Sequence, residues 1–195
     1  MLFTVFRGDS PQTLRLEGPR VFLVPPRMSD WKVWAGLREE SRDFLTPWEP
    51  TWPHDALTRH SFRRRLKVYN QEWRQGTGFS FLVYRLADNA LMGGVTLSNV
   101  RRGVSQAASM GYWIGERFSR QGFMSEAVSA VVEFACEELA LHRVEAACLP
   151  HNDASRCLLL KVGFRQEGYA RQYLRINGKW QDHLLFEMLR DDPRL

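Results

Sequence analysis

The segment GYWIGERFSRQGFMSEA at 111–127 carries the residue types best suited to hold an anion. An apolar strand ends at Gly115, a short basic loop runs from Arg117 to Gln121, Gly122 follows, and a helix begins. A loop entering a helix offers several backbone N–H groups without intrahelical acceptors, together with the positive end of the helix dipole. Such a site suits a pyrophosphate. Ser119, Arg120, Gln121, Gly122, Phe123, Met124 and Ser125 are the candidate cofactor-binding run, and Gly122 lets the main chain approach a ligand closely. An ordinary strand–loop–helix connection has the same pattern, so this segment alone decides nothing. In the second segment, PHNDASRCLLLKVGF at 150–164, a strand again ends before a helix. Asn152 can offer its amide to a ligand or simply cap the helix. Ser155, in the first turn, can donate a proton to a thiolate or be a plain N-terminal serine. Two helix N-termini that both follow sheet strands point at one sheet edge, as a nucleotide-like ligand at the carboxyl ends of strands requires.

The elements that must position these residues are readable in order. Val21–Val24 is a first strand, ended by Pro25 and Pro26, and Ser29 or Asp30 can cap a helix from about Trp31 to Glu40. FLTPWEPTWP (44–53) holds three prolines and reads as a structured loop rather than a helix. A second helix spans about Leu57–Gln75, with Phe62, Leu66, Tyr69 and Trp73 on one face. Strands follow at Gly78–Arg85, Leu91–Val100 and Ser105–Ile114, then a helix over 123–140 with Val128, Val131, Val132, Ala135 and Leu139 on its apolar face. VEAAC (144–148) is a short buried strand, and a helix to Val162 stops at Gly163. Strands at 164–176 and 180–189 flank Asn177–Gly178, a strong hairpin signal. The order β-α-α-β-β-β-α-β-α-β-β implies an α/β domain, a mixed sheet with helices on both faces.

Composition sets outer bounds. The 195 residues fit one domain, taken as residues 20–190 after a loose lead-in (1–19, with Gly8, Pro11, Gly18 and Pro19) and before a short tail (191–195). Charged residues at 25% and hydrophobic residues at 44% are an ordinary globular balance. The net charge of +5 serves solubility, or attracts a polyanion such as a phosphorylated cofactor or a ribosomal surface through Arg63, Arg64, Arg65 and Lys67 or through Arg101 and Arg102. Cys136, Cys148 and Cys157 are odd in number and lie in apolar segments, which implies reduced, buried thiols and a cytoplasmic protein. The five histidines lack metal-ligand spacing, so no metal is expected, and neither a signal peptide nor a membrane span is evident.

GYWIGERFSRQGFMSEA followed by PHNDASRCLLLKVGFRQEGYARQYLRINGKWQDH resembles the GNAT superfamily of N-acetyltransferases. More narrowly it resembles the ribosomal-protein-alanine N-acetyltransferases of the RimJ/RimL type, over about residues 20–190. FLTPWEPTWP and LSNV (97–100) resemble the same subgroup. The resemblance implies acetyl-CoA as acetyl donor, and a GNAT fold whose central sheet is split in a V. The pantetheine would lie between the strand ending near Ile114 and the strand at 143–149. The superfamily loop pattern Q/R-x-x-G-x-G/A is met here only by Gly122: Ser119 stands where Gln or Arg is expected, and Met124 ends the motif as in the subgroup. Many members place a general-acid Tyr at the position of Leu159, so the resemblance moves that role to Ser155, beside Asn152.

In direct attack of an amine on a thioester, the site must stabilise an oxyanion, deprotonate the amine and protonate the thiolate. Backbone N–H groups near Trp113 and Ile114 are the expected oxyanion donors, and Glu116, Asp182 and His183 are the candidate bases. Each of the three can equally be a surface or hairpin residue. At pH 7 a lysine amine costs about 4.6 kcal/mol to deprotonate and an α-amine about 1 kcal/mol. The absence of an evident strong base therefore points to protein N-termini as acceptors. Trp48, Trp52, Tyr173 and Trp180 are candidate walls of the acceptor groove, and Asn99 with Ser98 can hold a chain of waters. Glu39, Glu40, Asp43 and Glu49 cluster near the proline-rich loop and can attract a basic protein tail. A small-amine acetyltransferase and a non-catalytic ribosome- or RNA-binding module are the alternatives. A monomer or homodimer without membrane or specific DNA contact is expected.

Overall fold

The computed structural model of the chain describes residues 4–6 and 14–193; Gly8 and Pro11 of the lead-in and the last two residues lie outside that range. Among the described residues nine strands form one sheet: β1 (Thr4–Phe6), β2 (Arg15–Glu17), β3 (Val21–Val24), β4 (Phe79–Arg85), β5 (Leu91–Arg101), β6 (Ala107–Ile114), β7 (Arg143–Cys148), β8 (Arg165–Ile176) and β9 (Lys179–Leu189). The helices are α1 (Trp31–Glu40), α2 (Arg42–Leu45), α3 (Arg59–Gln75), α4 (Phe123–Glu133) and α5 (Asp153–Val162). The strand order is β1-β2-β3-β4-β5-β6-β7-β9-β8, antiparallel throughout except for the parallel β6–β7 pair. That parallel step follows from the crossover through α4.

Alternation along β5 divides the two faces. Gly93 looks toward Met124 of α4, whereas Gly94 looks toward Trp113, whose ring lies against Arg38 of α1. Helices α4 and α5 pack together on one face, α1 and α3 on the other. Phe62 and Leu66 seat α3, Val128, Val131 and Val132 seat α4, and all of these are buried. The caps follow the chemistry of their residues. Thr58 Oγ1 accepts the Ser61 N–H at 3.2 Å, and Gly76 and Gly163 end α3 and α5 in left-handed conformations. Asn177 and Gly178 both have positive φ (43° and 79°), the geometry a two-residue hairpin prefers.

Several expectations are corrected. The lead-in contains β1 and β2, which extend the sheet beyond β3; the alternating RLE run is too short and polar to stand out beside its glycines and prolines. The proline-rich stretch is partly helical, since α2 reaches Leu45 and a 3₁₀ turn covers Thr46–Trp48, where Pro47 is tolerated in the first turn. The helix after Gly122 loosens into a π-helical turn at Phe134–Glu138. Cys136 and Cys148 are buried, but Cys157 is exposed. No helix of the described residues is long and apolar enough to cross a membrane, and no group of three His, Cys, Asp or Glu among them could hold a metal ion.

Candidate active site

The parallel pairing of β6 with β7 runs from Ala107↔Arg143 to Met110↔Ala146 and then stops. Beyond it, Gly111–Ile114 stays bonded to β5, and Ala147–Cys148 to β9. The sheet is therefore split, and alternate peptide groups of 111–114 turn into the gap without a strand partner. Gly122, at φ 85°, is the N-cap of α4. The segment before β3 braces this loop. Arg20 Nε donates to Glu126 Oε1 at 2.7 Å, the Arg20 backbone N–H to Glu126 Oε2 at 3.0 Å, and Nη2 to the Gln121 carbonyl at 3.1 Å. The guanidinium also lies over the Phe123 ring, 4.6 Å from its centroid. A methyl at 122 would approach Arg20 Nη2 at 3.1 Å in a conformation that L-residues avoid.

Three side chains that are distant in sequence meet on the α4/α5 face of the gap. The Tyr112 hydroxyl lies 2.7 Å from Ser155 Oγ, and the Cys148 thiol lies beside Ser155. Burial holds the Tyr112 phenol well above its ordinary pKa, so it stays protonated, and burial likewise pushes up the Cys148 thiol. A protonated phenol donating to a serine hydroxyl leaves the serine proton free to go to a group in the gap. Asn152 performs its capping role: its Oδ1 accepts the Ser155 N–H at 3.1 Å, which sets the position of Ser155.

On the opposite face of β6 lies a cavity of about 400 Å³, enclosed by α1, α3, the 49–53 loop, β4, β5 and the Gly111–Trp113 stretch of β6. Gly94 makes room for its floor, since a methyl there would sit 2.7 Å from Trp113 Nε1. Arg38 is buried among three indoles, with its guanidinium carbon 5.6, 4.4 and 4.8 Å from the ring centroids of Trp34, Trp52 and Trp113. It forms a salt bridge with Glu49, which also accepts the Trp52 Nε1–H at 2.7 Å. A second, shallower depression lined by Arg42, Asp43, Thr46, Pro47 and Asn177 shares Thr51 and Trp52 with this cavity. Thr51 and Trp52 thus stand between the inner cavity and the outer depression, bordering both.

The predicted residues are distributed unevenly around this geometry. Trp113 and Trp52 line the inner cavity, and Ile114 pairs with Gly93 at the gap. Trp48 packs on His151, 5.5 Å between ring centroids, beside the Asn152 turn. Asn99, Tyr173 and Trp180 are exposed and line neither depression. Asn99 sits at a bulge between Ser98 and Arg101, toward the end of β6 away from the gap. Both Asp182 oxygens are occupied: Oδ2 accepts the Tyr169 hydroxyl, and Oδ1 accepts the Gln172 N–H at 2.8 Å across a bulge in β8. The Tyr169 hydrogen bond holds the Asp182 carboxyl below its ordinary pKa, which makes it a poor base. His183 points to the other face, buried, its Nδ1 at 3.0 Å from the Gln181 carbonyl. Glu116 is exposed on the turn after β6, and its N–H donates to Ser41 Oγ at 3.0 Å. The acidic cluster is not one patch, because Glu39, Glu40 and Glu49 pair separately with Arg42, Arg117 and Arg38. Tyr112 and Arg38 were not singled out from sequence. Tyr112 lay within the quoted strand, but its partner Ser155 is 43 residues away.

A mixed sheet split at one parallel pair, with two helix N-termini at the split, defines an acyl-CoA-binding transferase. The acetyltransferase (GNAT) domain model matches residues 20–165, and the chain belongs to that family as an acetyl-CoA-dependent N-acetyltransferase. The chain is 34% identical over 189 residues to the [ribosomal protein uS5]-alanine N-acetyltransferase of Escherichia coli (strain K12), covering 96% of each. It is similar in structure to the ribosomal-protein-S5-alanine acetyltransferase of Vibrio fischeri, with TM-score 0.85, 30% identity, and coverage of 91% of this chain and 97% of the other. It is also similar to Mycobacterium smegmatis RimJ in complex with CoA-disulfide, with TM-score 0.81, 31% identity, and coverage of 96% and 85%.

Proposed function

We propose that the acceptor is the N-terminal α-amine of a protein, of the ribosomal-protein class named for the relatives, and that the enzyme works in the cytoplasm. The observation that carries this reading is that the inner cavity and the Arg42–Asp43–Asn177 depression border the same two residues, so that a chain passing Thr51 and Trp52 would follow a path through both. A chain end fits such a path: its first residue occupies the cavity and the next residues lie in the open depression. The relative that is 34% identical over 96% of the chain, a [ribosomal protein uS5]-alanine N-acetyltransferase, supports the same class. The exposed Arg63 and Lys67, one turn apart on α3, supply a basic patch toward ribosomal RNA, whereas Arg64 pairs with Asp55 and Arg65 lines the inner cavity.

In this reading the gap takes the pantetheine, and the amides at Gly122–Ser125, together with Ser119, Arg120 and Gln121, cradle the pyrophosphate. Of the two expected donors, the Ile114 amide faces the carbonyl oxygen, because alternation turns the Trp113 amide toward β5. Ser155 directs its proton at the departing thiolate, and the Tyr112 phenol, kept protonated, holds the serine hydroxyl in place for it. Asn152 positions Ser155. Neither Glu116, Asp182 nor His183 lines the acceptor path, so an α-amine, about 1 kcal/mol from its free-base form at pH 7, loses its proton to water. The test is a pair of peptides, one with free N-terminal Ala and no lysine, the other N-terminally blocked with one lysine. The first is acetylated faster, in keeping with the roughly 3.5 kcal/mol difference in deprotonation cost. Faster acetylation of the blocked lysine peptide ends the N-terminal reading.

A further inference from the structure

We propose that Glu49 is the residue that recognises the acceptor's α-ammonium, with Arg38 and Trp52 as its positioning residues. The inference rests on the peptide-acceptor reading and deepens it. Among the described residues Glu49 is the one carboxylate on the inner cavity wall, which also carries Arg38 and Arg65. Arg38 and Trp52 both donate to the same oxygen, Oε2. Among the described residues Oε1 receives no hydrogen bond, and it is not among the buried unsatisfied atoms. The Glu49 side chain keeps 20% exposure and lines the cavity.

The pairing at Oε2 has a structural explanation: a guanidinium buried among indoles needs a counter-ion. That explanation leaves Oε1 unassigned. An ammonium has three donors and needs an anionic acceptor when it leaves water, and Oε1 supplies one within a wall of aromatic rings. Arg38 bridges this carboxylate to Trp113, on the stretch of β6 that faces the gap, so the amine is held beside the acetyl site. Sharing the carboxylate charge with Arg38 weakens its hold on the ammonium proton, so the amine can still lose that proton before attack. The Glu49 backbone carbonyl accepts the Asn177 N–H at 2.9 Å, which ties the β8–β9 hairpin tip to the same wall. Recognition of the amine is thereby coupled to the outer depression that takes the following residues.

The experiment measures equilibrium binding by the full-length protein saturated with CoA, so that no turnover occurs. The probes are an N-terminally free Ala peptide and its propionyl analogue, identical but for the amine. The wild type binds the amine form tighter by about tenfold or more. The preference declines as pH rises above about 8, where the amine loses its charge. Glu49→Gln binds both forms alike at every pH and still binds CoA. Glu49→Asp keeps the charge opposite Arg38 but withdraws it by one methylene, and its preference falls to about threefold. It carries the test if Glu49→Gln loses CoA binding through misfolding. A purely structural role for Glu49 predicts equal weakening of both peptides with the preference intact, and that result overturns the proposal, as does an undiminished preference in Glu49→Asp. Equal wild-type affinity for the two peptides removes Glu49 as the amine site but spares the peptide reading. Binding of neither peptide removes both.

Discussion

The two sides of β6 are built differently. On the donor side, the gap is lined by peptide groups that the strand pairing leaves free beyond Met110, and the loop at Gly122 is shaped by two left-handed residues, Arg120 at φ 58° and Gly122 at φ 85°. On the acceptor side, the cavity is walled by side chains from α1, α3, the 49–53 loop and three strands, with a buried arginine held among three indoles. A site made of main chain tolerates side-chain change as long as backbone conformation is kept, which is how Ser119 can stand where the superfamily pattern has Gln or Arg. A site made of side chains changes specificity with every substitution. The donor side can therefore be common to a family while the acceptor side is particular to each member.

The largest expected effect tests whether the donor side is truly main-chain. Gly122→Val puts a β-branched residue at φ 85° with its Cβ 3.1 Å from Arg20 Nη2, and CoA affinity measured by calorimetry falls by about 100-fold or more, whereas Gln121→Ala stays within about threefold. Equal losses in both variants would mean that side chains read the phosphates. Next in size, Ser155→Ala lowers kcat by about 100-fold with little change in the KM for acetyl-CoA, and Tyr112→Phe, which acts only through Ser155, lowers kcat by about tenfold. If Tyr112→Phe is the more damaging of the two, the phenol is itself the acid and the two roles are reversed.

The smallest effect is on stability. The pKa of Tyr112 in the folded protein is raised above its unfolded value of about 10 by burial. Below pH 10 both states are protonated and the contribution is fully present. As pH rises above 10 toward the raised folded value, the unfolded chain releases a proton that the folded state keeps, and stability falls by up to about 1.4 kcal/mol per pH unit for this group. Urea unfolding between pH 9 and 11 shows a shallower loss in Tyr112→Phe than in the wild type. Identical slopes would place the phenol in contact with solvent.

Much of the donor side was legible because its signals are local. A glycine before a helix and an asparagine three residues before a serine each declare their conformation within a few residues. The acceptor side was not legible for the opposite reason. Trp48, Trp52, Tyr173 and Trp180 look alike as aromatic candidates, yet only Trp52 faces the cavity, because loop and hairpin orientation decides where a ring points. Asp182 and His183 read as an acid–base pair, but neighbours on a strand face opposite ways: one secures a bulge and the other is buried against Tyr173.

The sequence by itself determined the order of the strands from β3 onward, the Asn152 cap and the Gly163 stop of α5, the glycine at the phosphate loop and the serine at the start of α5. Only the tertiary structure decided that β6 and β7 part after Met110, that Tyr112 reaches Ser155 across the gap, and that Glu49 and Arg38 meet in the acceptor wall. The first group depends on conformational preferences of a few consecutive residues. The second depends on sheet register and helix packing, which bring together residues whose separation along the chain carries no local signal.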